Sequence, residues 1–218
     1  MRQQAESDET GAASTDDWLA EYPHLIRAAA FGDDSEVIRL LAAGADIDEL
    51  DGETGNWSAL HAAAVRRHAS TVRLLLAHGA TVDIAGVNHV TALSNAAGPG
   101  DAESVRALLQ AGADPNNVDL PGGETPLSGA GEWGNAETTL LLLETGANVN
   151  AWDDSGATAL MHAAEAGSIH TVRILLLNGA DPGLTLTTGT LAGMNASDLA
   201  RRMGHFEIAN EIEHFHKI

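Results

Sequence analysis

The chain has 218 residues, of which 44% are hydrophobic and only 4% aromatic, with 23 glycines; this is enough apolar material for a sizeable core built from Ala, Leu and Val, and it argues against a disordered chain. Eleven Lys and Arg stand against 31 Asp and Glu, a formal net charge of −20, which repels nucleic acid and anionic membrane surfaces. Cysteine is absent, which excludes disulfides and thiolate chemistry, and no stretch approaches the ~18 apolar residues of a membrane span.

Residues 1–15 lack the apolar core of a secretory signal and read as a flexible acidic tail; a cytoplasmic location is the simplest expectation. From Trp18 a repeating pattern begins. Asp16 or Asp17 is expected to start its first helix, and Trp18 to cap the open end of a stack. A Gly-Ala pair then recurs at Gly44-Ala45, Gly79-Ala80, Gly112-Ala113, Gly146-Ala147 and Gly179-Ala180, at steps of 35, 33, 34 and 33 residues. The phrase TVRLLLAHGA at 71–80 returns as TVRILLLNGA at 171–180, three periods later.

Before each Gly, apolar residues fall at minus seven, minus four and minus three: Val37/Leu40/Leu41, Val72/Leu75/Leu76, Val105/Leu108/Leu109 and Val172/Leu175/Leu176, with Thr139/Leu142/Leu143 as a weaker version. That spacing is one face of a helix, and Gly directly after it supplies the left-handed residue that turns the chain out. A shorter helix precedes each of these: SALHAAA at 58–64, TALSNAA at 91–97, TPLSGAG at 125–131 and TALMHAA at 158–164. Ser or Thr caps it, Pro126 suits its first turn, and paired Ala permits close contact. Gly32, Gly100, Gly134 and Gly167 break the first helix from the second, with Arg67 in that place in the second unit.

On these motifs the chain resembles the ankyrin repeat family. The family's T-P-L-H-x-A element appears as TPLSGA at 125–130 and SALHAA at 58–63, and its GADVN element as GADID, GATVD, GADPN, GANVN and GADPG. The resemblance implies an all-α repeat solenoid of about six units: helix-turn-helix pairs joined by hairpin-like loops. A single domain over residues 16–218 is expected, with units at about 18–50, 51–85, 86–119, 120–152, 153–186 and 187–218. In the last unit Asp198 replaces the usual His. His61 stands at the family's His position, which implies a structural hydrogen bond to a neighbouring turn. The hairpins at 79–91 and 146–158 are the short form, and the others are enlarged.

Several constellations suggest chemistry without carrying it. Gly129-Ala130-Gly131-Glu132-Trp133-Gly134 matches G-x-G-x-x-G, but it lies inside and at the end of a helix rather than opening one after a strand, so no dinucleotide cofactor is expected. Glu211, His214 and His216 lack a fourth ligand and a second shell, so no metal is expected. Asn56-Trp57-Ser58 and Asn195-Ala196-Ser197 are glycosylation sequons without a secretory signal. Ser94 and Ser128 replace His in the central repeats, close to His162. No nucleophile elbow accompanies them, so no catalytic residue is assigned. They do leave an alternative open: a small-molecule-binding protein or unusual enzyme with a pocket in the central repeats.

The positions free of framework duty are the hairpin tips, the residue before each capping Ser or Thr, and the end of each first helix. Trp57, Trp133 and Trp152 occupy three of them, joined by Arg66, His89, Val90, Asn95, Glu124, Glu132 and His162. Exposed Trp supplies large apolar area with few rotors, the usual make-up of a binding hot spot. By resemblance this concave side holds a protein partner. The expected function is therefore a non-enzymatic, monomeric protein-binding module for a basic partner, one concrete version being an inhibitor or immunity-type protein, with no nucleic-acid or membrane role.

Overall fold

The computed structural model describes residues 23–52, 56–119 and 121–215, so the expectations for Asp16, Asp17, Trp18, His216 and the tail at 1–15 lie outside the described residues. Within them are twelve α-helices in antiparallel pairs: α1 (His24–Phe31) with α2 (Asp34–Ala42), α3 (Ala59–Val65) with α4 (Ala69–Ala77), α5 (Ala92–Ala97) with α6 (Ala102–Gln110), α7 (Pro126–Glu132) with α8 (Ala136–Glu144), α9 (Ala159–Glu165) with α10 (Ile169–Leu177), and α11 (Ala196–Arg202) with α12 (Phe206–His214). Helix α1 starts at His24, after Pro23 in an extended conformation. Pro23, with its fixed φ, fits the entry to this helix.

The odd-numbered helices pack on one another in sequence from α1 to α11, and the even-numbered helices form a second row behind them. Two layers result, each unit resting mainly on its neighbours. Val37, Val72, Val105, Thr139 and Val172 all occupy the same fully buried slot of the second row. Thr139 brings a hydroxyl into it that has no hydrogen-bond partner. The first row is thinner: Ala29, Ala63, Ala96, Ala130, Ala163 and Ala200 are completely buried, and their short side chains let the helices approach closely.

The glycines between paired helices have two duties. Gly32, Gly100, Gly134 and Gly167 adopt φ of 68°, 73°, 67° and 75°, and Arg67 adopts the same turn at 63°. A side chain on those glycines would also strike His68, Asn135, Ser168 or His205 of the following unit. These residues use the space to reach back. His68 Nε2 lies 3.0 Å from the Ala30 carbonyl, Asn135 Nδ2 donates to Gly98, Ser168 Oγ donates to Gly134, and His205 Nε2 lies 3.1 Å from the Glu165 carbonyl.

A second ladder ties the hairpins together. Asp48 accepts from the Thr81 N–H, Asp83 from the Asp114 N–H, Asn116 from the Asn148 N–H and Asn150 from the Asp181 N–H, at 2.8–3.1 Å for the shortest contact of each. Where the rung is Asn it also donates, Asn116 to the Gly146 carbonyl and Asn150 to the Gly179 carbonyl. Asp83 lacks that donor. Burial holds its carboxyl above the usual range; the backbone hydrogen bond from Asp114 opposes this, and the Asp114 charge adds a smaller push upward.

The G-x-G-x-x-G run now has a packing explanation. A methyl group on Gly131 would sit 2.6 Å from the Ala159 carbonyl oxygen of α9, a backbone atom that cannot move alone, whereas one on Gly129 would meet nothing closer than 3.8 Å. Both glycines are helical, where Ala is intrinsically better by about 1 kcal/mol. Gly129→Ala is therefore expected to stabilise the protein by up to about 1 kcal/mol, and Gly131→Ala to destabilise it by about 1–3 kcal/mol through overpacking. Urea denaturation of the two variants checks the opposite signs.

Candidate protein-binding face

Three hydrogen-bonded arrangements set the residues that face away from the core. In the second unit, His61 Nδ1 accepts from the Ser58 N–H at 3.2 Å, which leaves the proton on Nε2 to be donated to the Val90 carbonyl at 3.0 Å. Burial holds this imidazole below its usual pKa, so it stays neutral and serves as a structural strut, as the family resemblance implied. Asn88 and His89, just before Val90, both have φ of 62°. The turn is held by the Asn117 side-chain amide donating to the His89 carbonyl at 3.0 Å.

In the third and fourth units, Asp119 takes over the role of His61. It accepts from Ser94 Oγ and from Asn117 Nδ2, each at 3.0 Å, and is bridged to Glu124 across the hairpin. Burial raises the Asp119 pKa to about 6; the Ser94 hydrogen bond opposes the rise and the charge of Glu124 adds to it. In the fifth unit Asp153 is the opposite case. Burial pushes it up, but hydrogen bonds from the Ser155 hydroxyl and from the Ala157 and Ser155 N–H groups, with the nearby His162, outweigh that and leave its carboxyl below the usual range. His162 Nε2 lies 3.6 Å from Asp153.

The hydroxyls considered as a catalytic or ligand pocket are thus engaged in their own turns. Ser94 binds Asp119, Ser128 Oγ donates to the Thr125 carbonyl at 2.7 Å, and His162 faces Asp153. Near the C-terminus, Arg173 clamps Glu211 through two hydrogen bonds, and His214 Nδ1 lies 2.7 Å from the Asn210 carbonyl. Among the described residues no three His, Asp or Glu side chains are grouped for a metal ion.

The tryptophans divide. Trp133, directly after α7, is 66% exposed, and its indole lies over Gly98, where a methyl group would sit 3.4 Å from Nε1. Trp152, paired with Thr158 at the base of its hairpin, is 67% exposed. Trp57 is half-buried, its backbone tied to Asp51 through both its N–H and its carbonyl. Arg66, His89, Glu124 and Glu132 are exposed, whereas Val90, Asn95 and His162 are half-buried. The Asn95 side-chain amide nitrogen is enclosed with no hydrogen-bond partner.

The structure adds residues that the motif reading passed over. Val118 is exposed six residues after Gly112, in the same register as Trp152 after Gly146. That shared offset was the available signal. On the back of the stack, Arg73 pairs with Glu103, Arg106 with Glu103 and Glu137, and Arg173 with Glu211, which engages three of the eleven Lys and Arg. The five segments from Gly-Ala to the next cap, 44–58, 79–91, 112–125, 146–158 and 179–195, each contain acidic residues and not one Lys or Arg.

A stack of helix pairs with exposed aromatics beside acidic hairpins defines a repeat-type binding scaffold. A family model described as ankyrin repeats in three copies matches residues 25–119 and 95–185, and the chain belongs to the ankyrin repeat family. It is 38% identical over 100 residues to a putative ankyrin repeat-containing protein of Treponema pallidum, covering 46% of this chain and 33% of that one. It is 40% identical over 78 residues to the mouse B-cell lymphoma 3 protein homolog, covering 36% and 17%. It is also 40% identical over 92 residues to the ankyrin repeat and KH domain-containing protein mask-1 of Caenorhabditis elegans, covering 42% and 3%. The matches thus span a third or less of these relatives. Ankyrin repeats generally mediate protein–protein interaction. No helix among the described residues is long and apolar enough to cross a membrane.

Asp119 provides a test of the electrostatics of this face. A carboxyl whose pKa is raised on folding contributes stability that is complete below the ordinary carboxylate range and is lost as the pH rises through about 6. Asp119→Asn keeps an acceptor for Ser94 and removes the charge. Its stability relative to the parent is expected to rise as pH goes from about 4 to about 7, measured by urea denaturation at several pH values; a difference independent of pH contradicts the assignment.

Proposed function

We propose that the protein is a non-enzymatic, monomeric, cytoplasmic binding module that holds a basic protein partner against its concave face and hairpin tips. One observation carries this reading. Trp133 and Trp152 are kept about two-thirds exposed by a framework that does not need them, beside hairpins that carry carboxylates without a single Lys or Arg. Large, stiff aromatic surface is what hot spots are made of, and an unbalanced negative field speeds and selects encounters with a cationic partner. Arg66, His89, Val90, Asn95, Glu124, Glu132, His162 and the accessible part of Trp57 complete the proposed contact surface. An inhibitor or immunity-type protein acting on a cationic toxin or enzyme is the concrete form this takes.

The test is co-purification from the native source with the parent protein and with a Trp133→Ala/Trp152→Ala variant. The expected partner is basic, is lost by the double variant with a decrease in affinity of at least about thirtyfold, equivalent to about 2 kcal/mol, and associates more slowly as salt rises. A partner retained unchanged by the double variant, or an association rate indifferent to salt, contradicts the proposal.

A further inference from the structure

Trp152 stands between two clefts. One, of about 460 Å³, is lined by Val118, Gly123, Thr125, Trp152 and Asp154 among others. The second, of about 210 Å³, lies on the other side of the indole and is lined by Trp152, Gly156, Leu184, Thr185 and Thr187. The first combines an apolar wall with the exposed carboxylate of Asp154. The second is bounded by the indole, Leu184 and threonine side chains, a surface suited to an aliphatic group.

The floor beneath the clefts is fixed. The Asp154 N–H donates to the Gly122 carbonyl at 2.8 Å, and the Thr187 N–H donates to the Ser155 carbonyl at 2.8 Å, so successive hairpins are joined backbone to backbone. Those groups are already used and are not open to strand addition, which leaves side chains to recognise the occupant. Such a floor also needs little ordering on binding.

Spacing and charge then specify the occupant. Val118, Trp152 and Thr185 each lie six residues after the Gly of a Gly-Ala pair, so the walls of the clefts repeat once per unit, at roughly the 8–10 Å separation of packed helices. A β-extended chain turns side chains i and i+3 to opposite faces, whereas an extended polyproline-like chain brings them back to one face, about 9 Å apart. Side chains at i and i+3 of such a chain therefore match one unit of the stack. Around the clefts Glu124 and Asp154 are exposed, and the three hairpins concerned contain no Lys or Arg.

We propose that the two clefts flanking Trp152 dock an extended basic segment of the partner, with one apolar side chain in each cleft, three residues apart, and Lys or Arg beside them facing Glu124 and Asp154. This rests on the protein-binding reading above and names what is bound. An occupant with an acidic or uncharged flank is disfavoured by the same charges that recommend the basic one.

The probe is a phage-displayed library of random linear peptides panned against the intact chain. Enriched peptides are expected to carry apolar residues at i and i+3 flanked by Lys or Arg. Synthetic copies are expected to lose at least tenfold in affinity with Trp152→Ala, to weaken several-fold with Asp154→Asn, and to bind Leu177→Ala, an exposed change at the end of α10 away from both clefts, as they bind the parent. Because Trp152 and Asp154 are exposed, circular dichroism of these variants should match the parent, so that lost binding is not lost fold. No enrichment, enrichment of peptides without basic residues, or affinity indifferent to Trp152→Ala overturns the proposal. If affinity depends instead on Trp133, the two-cleft site falls while the broader binding function stands; if a bound partner ignores both tryptophans, both fall.

Discussion

The close contact between the first helices of successive units is the constraint on which the rest depends. Ala29, Ala63, Ala96, Ala130, Ala163 and Ala200 are fully buried along that row, and Gly131 is glycine because α9 passes where a methyl group would be. Helices this thin and this short would be marginal alone. They are held by neighbours before and behind, by the second row built on Val37, Val72, Val105 and Val172, and by polar residues that reach from one unit to the previous one. Because support runs along the stack, side chains pointing across it are released from structural duty.

This division of labour separates the charges as well as the shapes. Arginines on the second helices are spent on Glu103, Glu137 and Glu211, in exposed pairs that add little stability individually. The hairpins keep their carboxylates unbalanced by Lys or Arg. Some of these acids are structural acceptors: Asp48 and Asp83 hold N–H groups of the next unit, and Asp119 holds Ser94. Others, such as Glu124 and Asp154, are exposed. The negative face is therefore a by-product of how the hairpins are tied as well as the basis of the proposal of a cationic partner. Asp119, with a pKa raised to about 6, shows that the first duty carries an electrostatic cost.

Much of this was legible in the sequence because the same physical problem is solved several times at fixed spacing. The left-handed turn at Gly32 and its equivalents, the substitution of Arg67 at that turn and the place of Gly129 and Gly131 inside a helix follow from register, and the strut role of His61 from the family resemblance. What register cannot reveal is how each exposed side chain settles. Trp57 and Trp152 both precede or begin a hairpin closure, yet one is half-buried beside Asp51 and the other stands free. Ser94, Ser128 and His162, which suggested a central pocket, each turn to a partner within their own repeat or the next hairpin, and none of them lines either cleft beside Trp152. The clefts beside Trp152 depend on contacts between successive hairpins, at Gly122–Asp154 and Ser155–Thr187, that no single repeat encodes.

The central claim is that packing between neighbouring units supports the fold by itself and leaves Trp133 and Trp152 in solvent. Quenching of indole fluorescence by acrylamide, a neutral probe unaffected by the net charge of −20, tests it most directly when applied to variants that retain one tryptophan at a time. The account predicts that Trp133 and Trp152 in the folded protein are quenched nearly as readily as in the urea-unfolded chain, and Trp57 distinctly less. Strong protection of Trp133 and Trp152 on folding would contradict it.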